Sequence, residues 1–233
     1  MNTAESIEAL SKESRRFPPP PDFAARANAQ PGIYEDAERD YLEFWASWAR
    51  KLEWTKPFSK ILEWNEPFAK WFGDGELNVS ANCLDRHVRA GNGEKVAYYY
   101  EGEPGDRWTI TYKQLLDDVC RFANGLRKLG IKKGDRVAIY MPMIPELPVA
   151  MLACARIGAP HSVIFGGFSP DSIVDRVNDA QCVALITADQ GWRRGNKVPL
   201  KHNCDVAMEQ TPSIAHCIVA KRVGDPVEMK AGR

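Results

Sequence analysis

Arg136-Val-Ala-Ile-Tyr-Met141, Pro160-His-Ser-Val-Ile-Phe165 and Cys182-Val-Ala-Leu-Ile-Thr187 are three short, almost continuously apolar runs, and what separates them decides the fold. The first follows the turn-like Lys133-Gly134-Asp135. Between the first and second, residues 145–157 are apolar nearly all round, with a proline in the first turn and Gly158 at the end, as in a buried helix. Between the second and third, Gly166-Gly167 ends the run. Ser169-Pro170-Asp171 then has the make-up of a helix start: a hydroxyl cap, proline at the first helical position and a carboxylate near the positive helix end. Apolar strands alternating with helices predict an α/β fold, a mostly parallel sheet with helices on both faces and right-handed crossovers. In such sheets ligands gather beyond the carboxyl ends of the strands. Those ends are Phe165-Gly-Gly-Phe168 and Ala188-Asp-Gln-Gly-Trp-Arg-Arg-Gly-Asn196.

The 233 residues suffice for one large or two small domains. Lys plus Arg and Asp plus Glu are both 31, a neutral balance that points to neither nucleic acid nor an anionic membrane as partner. No apolar run approaches the roughly 20 residues of a membrane span. Residues 1–12 carry acids and a lone lysine ahead of any hydrophobic block, unlike a secretory signal. The six cysteines (83, 120, 154, 182, 204, 217) form no Cys-x-x-Cys pair, and several lie inside apolar segments. Buried reduced thiols are expected, with no disulfide frame and no metal site, in a cytoplasmic protein.

Residues 1–31, with their run of four prolines, read as a poorly ordered arm that is extended at the prolines. From 32 to 50, Tyr34, Tyr41, Phe44, Trp45 and Trp48 recur at helical spacing, which predicts one amphipathic helix with a ring-filled packing face. Residues 52–60 and 62–70 nearly repeat (Leu-Glu-Trp-Thr-Lys-Pro-Phe-Ser-Lys, then Leu-Glu-Trp-Asn-Glu-Pro-Phe-Ala-Lys). Two copies are too few for a solenoid and read as two Trp/Phe turns on the core. Near Gly91 the composition shifts. Residues 94–101 and 108–111 are strand-like around a Pro104-Gly105-Asp106 turn, and Thr111-Tyr-Lys-Gln114 has capping-box spacing before a helix closed by Gly130. Residues 199–210 are a further helix candidate and 216–220 a fourth strand. The organisation expected is an arm (1–31), an aromatic-rich extension (32–90) and an α/β region (91–233). An open sheet that ends in polar residues is expected of a truncated domain, with apolar edges exposed at 182–187 and 216–220.

Two loops carry chemistry. In Phe165-Gly166-Gly167-Phe168 the glycines allow close backbone approach to a ligand, and a helix starting at Pro170 would aim amides at an anion; a plain strand-to-helix turn is the other reading. Trp192-Arg193-Arg194-Gly195-Asn196-Lys197 sets three cations and an indole within six residues. Guanidinium groups pair with phosphate and stack on flat rings, although a solvated basic turn reads the same way. The four histidines lack ligand spacing, and Asp85-Arg86-His87, three successive residues, point in different directions.

Longer motifs carry a resemblance. Trp71-Phe72, Gly75-x-Leu77-Asn78, Asn82-Cys-Leu-Asp-Arg-His87, Met141-Pro-x-Ile-Pro-Glu146, His161-Ser-Val-Ile-Phe-Gly-Gly-Phe168 and Ala188-Asp-Gln-Gly-x-Arg-x-Gly195 with Pro199-Leu-Lys201 stand in order. Across about residues 30–233 the chain resembles AMP-forming acetyl-coenzyme A synthetases. The resemblance implies a ligase that joins acetate to coenzyme A, using ATP and Mg2+ to form an acyl-adenylate before the thiol displaces AMP. It also implies that Arg193, Arg194, Gly195 and Asn196 meet the 3′-phospho-ADP end of coenzyme A, Arg193 foremost. Phe165, Gly166 and Gly167 would line the adenine, and Val198 would stand where the family has a small aliphatic. Asn196 departs from the family's Arg or Lys, a charge that Arg194 or Lys197 would replace.

The family's glycine- and threonine-rich phosphate loop and its catalytic lysine are absent from these residues, so the ATP and Mg2+ sites are expected beyond residue 233, with the fragment inactive alone. The competing readings are a non-catalytic synthetase-like binding or regulatory module, and a ligase for another short acid such as propionate. A generic dinucleotide-binding domain is disfavoured by the lack of Gly-x-Gly-x-x-Gly after a strand. A reading frame continuing past Arg233 into a phosphate loop would separate the truncated enzyme from the module.

Overall fold

The computed structural model describes residues 15–230, which fall into two units: residues up to 51 with 64–69, and residues 52–63 with 70 onward. Residues 1–14 of the expected arm and 231–233 of the polar ending lie outside the described residues. The rest of the arm is irregular through Pro20 and then forms a short helix, α1 (Pro21–Ala25). The aromatic helix expected over 32–50 is two helices. α2 (Gly32–Arg39) stops at Asp40, whose carboxylate accepts from the Glu43 N–H at 3.0 Å and caps α3 (Tyr41–Ala49). A short acidic side chain that bonds the backbone competes with helix continuation, which ring spacing alone does not report. The rings also do not form a buried face. Tyr34, Tyr41, Trp45 and Trp48 stay exposed, and α3 buries only Ala46 and Ala49.

The near-repeat folds two ways. Residues 52–60 stay irregular apart from a bridge at Lys56, whereas the second copy supplies β1 (Leu62–Asn65) and β2 (Phe68–Trp71). Trp54, Phe58 and Phe72 form a ring cluster with centroids 4.6–6.0 Å apart. Two π-helical turns, Ala81–Asp85 and Val88–Asn92, follow. Asp85 pairs in two places with Arg156 at 2.8 Å, and that contact holds its carboxyl below the usual range despite the opposing effect of burial. The Asn78 amide donates to the carbonyls of Ala155 and Arg156 at 3.2 and 3.1 Å. These motif residues tie down a helix end.

The sheet is built next. β3 (Val96–Glu101) and β4 (Arg107–Thr111) form an antiparallel hairpin. Both bonds of the capping box at Thr111 and Gln114 are present and start α4 (Tyr112–Lys128). There follow β5 (Val137–Met141), α5 (Glu146–Ile157), β6 (His161–Phe165), α6 (Pro170–Ala180) and β7 (Ala184–Ala188). Ser169 takes the N-cap place of α6, but its hydroxyl makes no capping bond. β8 (Gly191–Arg193), β9 (Asn196–Val198), α7 (Leu200–Met208) and β10 (His216–Ala220) complete the order.

The strands lie β10-β7-β5-β6, all parallel. The chain steps one way from β5 to β6, and back over β5 to β7 and then β10. Right-handed crossovers then put α5 on one face, with α4 packed on it, and α6 and α7 together on the other. The fold is the α/β class read from the sequence. β5 and β7 are buried at every position because each is flanked by strands and covered on both faces. Residues 182–187 therefore do not form an exposed edge; the edges of this sheet are β6 and β10. All six cysteines are free, and burial pushes the thiols of Cys154 and Cys204 up to about 12. Among the described residues no helix is long and apolar enough to cross a membrane.

Candidate functional site

β5, β6 and β7 end together, and the turns that leave them go to opposite faces of the sheet, which opens a crevice at their carboxyl ends. After β6 the chain turns sharply: the N–H groups of Gly167 and Phe168 both donate to the Phe165 carbonyl, at 2.8 and 3.0 Å. The buried Tyr140 hydroxyl donates to the Phe168 carbonyl at 2.8 Å and accepts from the Asn203 amide at 3.2 Å, pinning the turn to β5 and α7. The two glycines meet different neighbours: fixed backbone at Gly166 and a movable side chain at Gly167. A Cβ at Gly166 would stand 3.0 Å from the Met141 carbonyl oxygen, and one at Gly167 would collide with the Arg193 guanidinium. That guanidinium lies 5.0 Å from the centre of the Phe165 ring, and the ring is 54% exposed.

Residues 188–196 are not the open loop that the sequence suggested. β8 and β9 pair as a hairpin whose two turn residues, Arg194 (φ 51°) and Gly195 (φ 75°), are both left-handed. This is the tight turn favoured between antiparallel strands, usually signalled by Asn-Gly or Asp-Gly; arginine in the first place hides it. The turn sets Arg193 and Arg194 at the tip, and among the described residues neither has a carboxylate partner. Lys197 is already paired with Asp225 at 2.6 Å and lies 5.6 Å from the centre of the Trp192 ring. The Asn196 amide donates to the Arg194 carbonyl at 3.2 Å. Of the two substitutes for the charge absent at position 196, Lys197 is neutralised and Arg194 is free.

A cleft of about 340 Å³ opens here, lined among others by Phe165, Gly166, Arg193 and Val198. Gly167 sits behind Arg193, and Arg194, Gly195 and Asn196 form the hairpin tip. Sequence reasoning missed Glu103, Trp192 as a wall, and Arg222, which reach the cleft from the β3–β4 hairpin, from β8 and from beyond β10. It also missed what binds these parts. The Asp189 carboxylate, 3% exposed, accepts from the backbone N–H groups of Gln190, Arg222, Val223 and Gly224 at 2.6–3.2 Å. Burial would raise its carboxyl, yet these donors, Gly224 first, bring it below the ordinary value. Held in this way, Arg222 pairs with Asp106 at 2.8 Å and lies 5.8 Å from the rings of both Tyr100 and Trp108. No local sequence signal marks this clamp, because Asp189 and its partners at 222–224 are more than thirty residues apart.

A second cavity, about 620 Å³, lies by Gly130 and Lys133, ahead of β5, and is lined by Arg127, Lys132, Lys133 and Arg156. It gathers at the carbonyl ends of α4 and α5, where cations offset the helix dipoles. Arg156 is committed to Asp85, and no aromatic ring lines the cavity. It lacks the flat face that the cleft offers.

Comparison with known proteins adds the following. The family described as AMP-binding enzyme matches residues 84–231, and that described as acetyl-coenzyme A synthetase N-terminus matches residues 31–83. The acetyl-coenzyme A synthetase of Streptomyces coelicolor is 55% identical over 224 residues, covering 96% of this chain and 34% of that protein. That of Rubrobacter xylanophilus is 54% identical over 221 residues, covering 94% and 34%. The solved acetoacetyl-CoA synthetase from Streptomyces lividans superposes with a TM-score of 0.78 over 90% of this chain and 32% of its own, at 24% identity, a likeness of fold. The chain spans about a third of the length of the curated relatives it matches.

Proposed function

The chain belongs to the AMP-binding enzyme family, and from that premise we propose that it is the amino-terminal stretch of an AMP-forming acetate–CoA ligase whose cleft holds the nucleotide end of coenzyme A. The observation that carries this reading is the Arg193 guanidinium over the half-exposed Phe165 ring, 5.0 Å from its centre, in the lining of the cleft, with Arg194 next to it in the hairpin turn. A stacked guanidinium keeps its N–H edge free for a phosphate, and the open ring offers a purine a flat face. Gly166 and Gly167 keep that approach clear, and Val198 closes the apolar wall. Asn196, turned into its own hairpin, leaves the 3′-phosphate to the two arginines.

Coenzyme A supplies the thiol that accepts the acyl group; these residues grip its far end and orient it. ATP, Mg2+ and acetate are the other proposed substrates and cofactors, and none of the described residues is assigned to them. The division at 32–90 and 91–233 is retained as the proposed domain organisation. The cleft takes up one end of one substrate, and stabilising charge at a reacting phosphate requires further donors. The 233 residues alone are therefore expected to be inactive in acetate-dependent ATP–pyrophosphate exchange, beside an active full-length relative assayed in parallel. Exchange by the purified, monodisperse chain would contradict this reading, since an adenylating site would then exist among residues to which only a scaffolding role falls.

A further inference from the structure

Glu103 stands at the tip of the β3–β4 hairpin, and its carboxylate accepts the Gly195 N–H at the tip of the β8–β9 hairpin. Its place is fixed from behind. The Gly102 N–H donates to the Asp106 carbonyl at 2.7 Å, the Gly105 N–H donates to the Gly102 carbonyl at 2.9 Å, and Asp106 is locked to Arg222. An added Cβ at Gly102 would meet the Asp106 carboxylate and the Arg222 guanidinium, which pack against this glycine. Lys197 is paired with Asp225, and Glu103 lines the same cleft as Arg193. A backbone N–H next to Arg194 at this hairpin tip is a donor that a phosphate could take, and a carboxylate already holds it.

We propose that Glu103 is an affinity-determining residue of the nucleotide cleft, an internal competitor that holds the Gly195 N–H in the free protein and yields it to a ligand phosphate. This rests on the reading that the cleft takes a 3′-phosphorylated adenine nucleotide. With no ligand, the contact joins the two hairpins and satisfies the tip donor. With a dianionic phosphate bound, like charges face one another, which weakens the complex and speeds release. A glutamine in this place keeps the acceptor oxygen and the shape and removes only the charge.

The test is calorimetric titration of the 233-residue chain, as wild type, Glu103→Gln and Arg193→Ala, with adenosine 3′,5′-bisphosphate and with adenosine 5′-monophosphate. Glu103→Gln is expected to bind the bisphosphate about three- to tenfold more tightly, and to change monophosphate affinity by less than about twofold, as removal of one partly screened like charge would do. Unchanged or weaker bisphosphate binding by Glu103→Gln, with Arg193→Ala still weakening it, would overturn the proposal and leave the cleft reading intact. An equal gain for both ligands would also overturn it, because the carboxylate would then not face the 3′-phosphate. No binding by wild type, or binding indifferent to Arg193→Ala, would remove the cleft reading and the proposal with it.

Discussion

Arg193→Ala is expected to weaken binding of adenosine 3′,5′-bisphosphate by about 10- to 150-fold, the equivalent of about 1.5–3 kcal/mol for a charge-assisted contact. The magnitude follows from what the side chain does in two directions. Its guanidinium lies over the Phe165 ring, 5.0 Å from the ring centre, and among the described residues no carboxylate pairs with it. On the proposed function, truncation removes a phosphate-binding group and one wall of the cleft together. Arg193→Lys should fall between, since lysine keeps the charge but neither the planar fork nor the stacking. Calorimetry on both variants, with adenosine 5′-monophosphate as control, separates the 3′-phosphate from the rest of the nucleotide. A loss of the same size for the monophosphate would show that Arg193 does not meet the 3′-phosphate.

Asp189→Ala is expected to lower the unfolding free energy of the chain by about 3 kcal/mol, because several part-buried N–H donors lose one shared, buried acceptor. Those of Gln190, Arg222, Val223 and Gly224 all converge on this carboxylate. Asp189→Asn, which retains an oxygen, should cost less. The pH dependence has a definite sign. The folded-state pKa of Asp189 is lowered, so its contribution is fully present above the unfolded carboxylate value of about 4 and is lost as the pH falls through the lower folded value. Urea unfolding between neutral pH and about pH 3 should show an acid-side loss in wild type that is smaller in Asp189→Asn. Equal acid slopes in the two proteins would show that other carboxylates carry the effect.

What was legible in the sequence follows the range of the signals. The strands at 137–141, 161–165 and 216–220 and the capping box at Thr111 rest on local periodicity and local hydrogen bonds, and the structure has them. Asp40 splits a helix that its ring spacing described as continuous, because one carboxylate bonding the Glu43 N–H starts a new helix there and outweighs a pattern of largely exposed rings. The β8–β9 hairpin escaped because its turn uses arginine where asparagine is usual, although Gly195 was in plain view. The candidate site was half legible. Phe165, Gly166, Arg193 and Val198 do line one cleft. Its other wall, through Glu103, Arg222 and the clamp at Asp189, depends on contacts between residues 33 to 116 positions apart, which no local pattern encodes.

The central claim, that this cleft and not the basic cavity beside α4 receives a phosphorylated adenine nucleotide, is tested most directly by amide chemical-shift mapping. The isotope-labelled 233-residue chain would be titrated with adenosine 3′,5′-bisphosphate. Shifts concentrated at residues 165–168 and 193–196, with Glu103 moving in step, are the expected result. Shifts confined to residues 127–133 and 156, or no shifts at all, would contradict it.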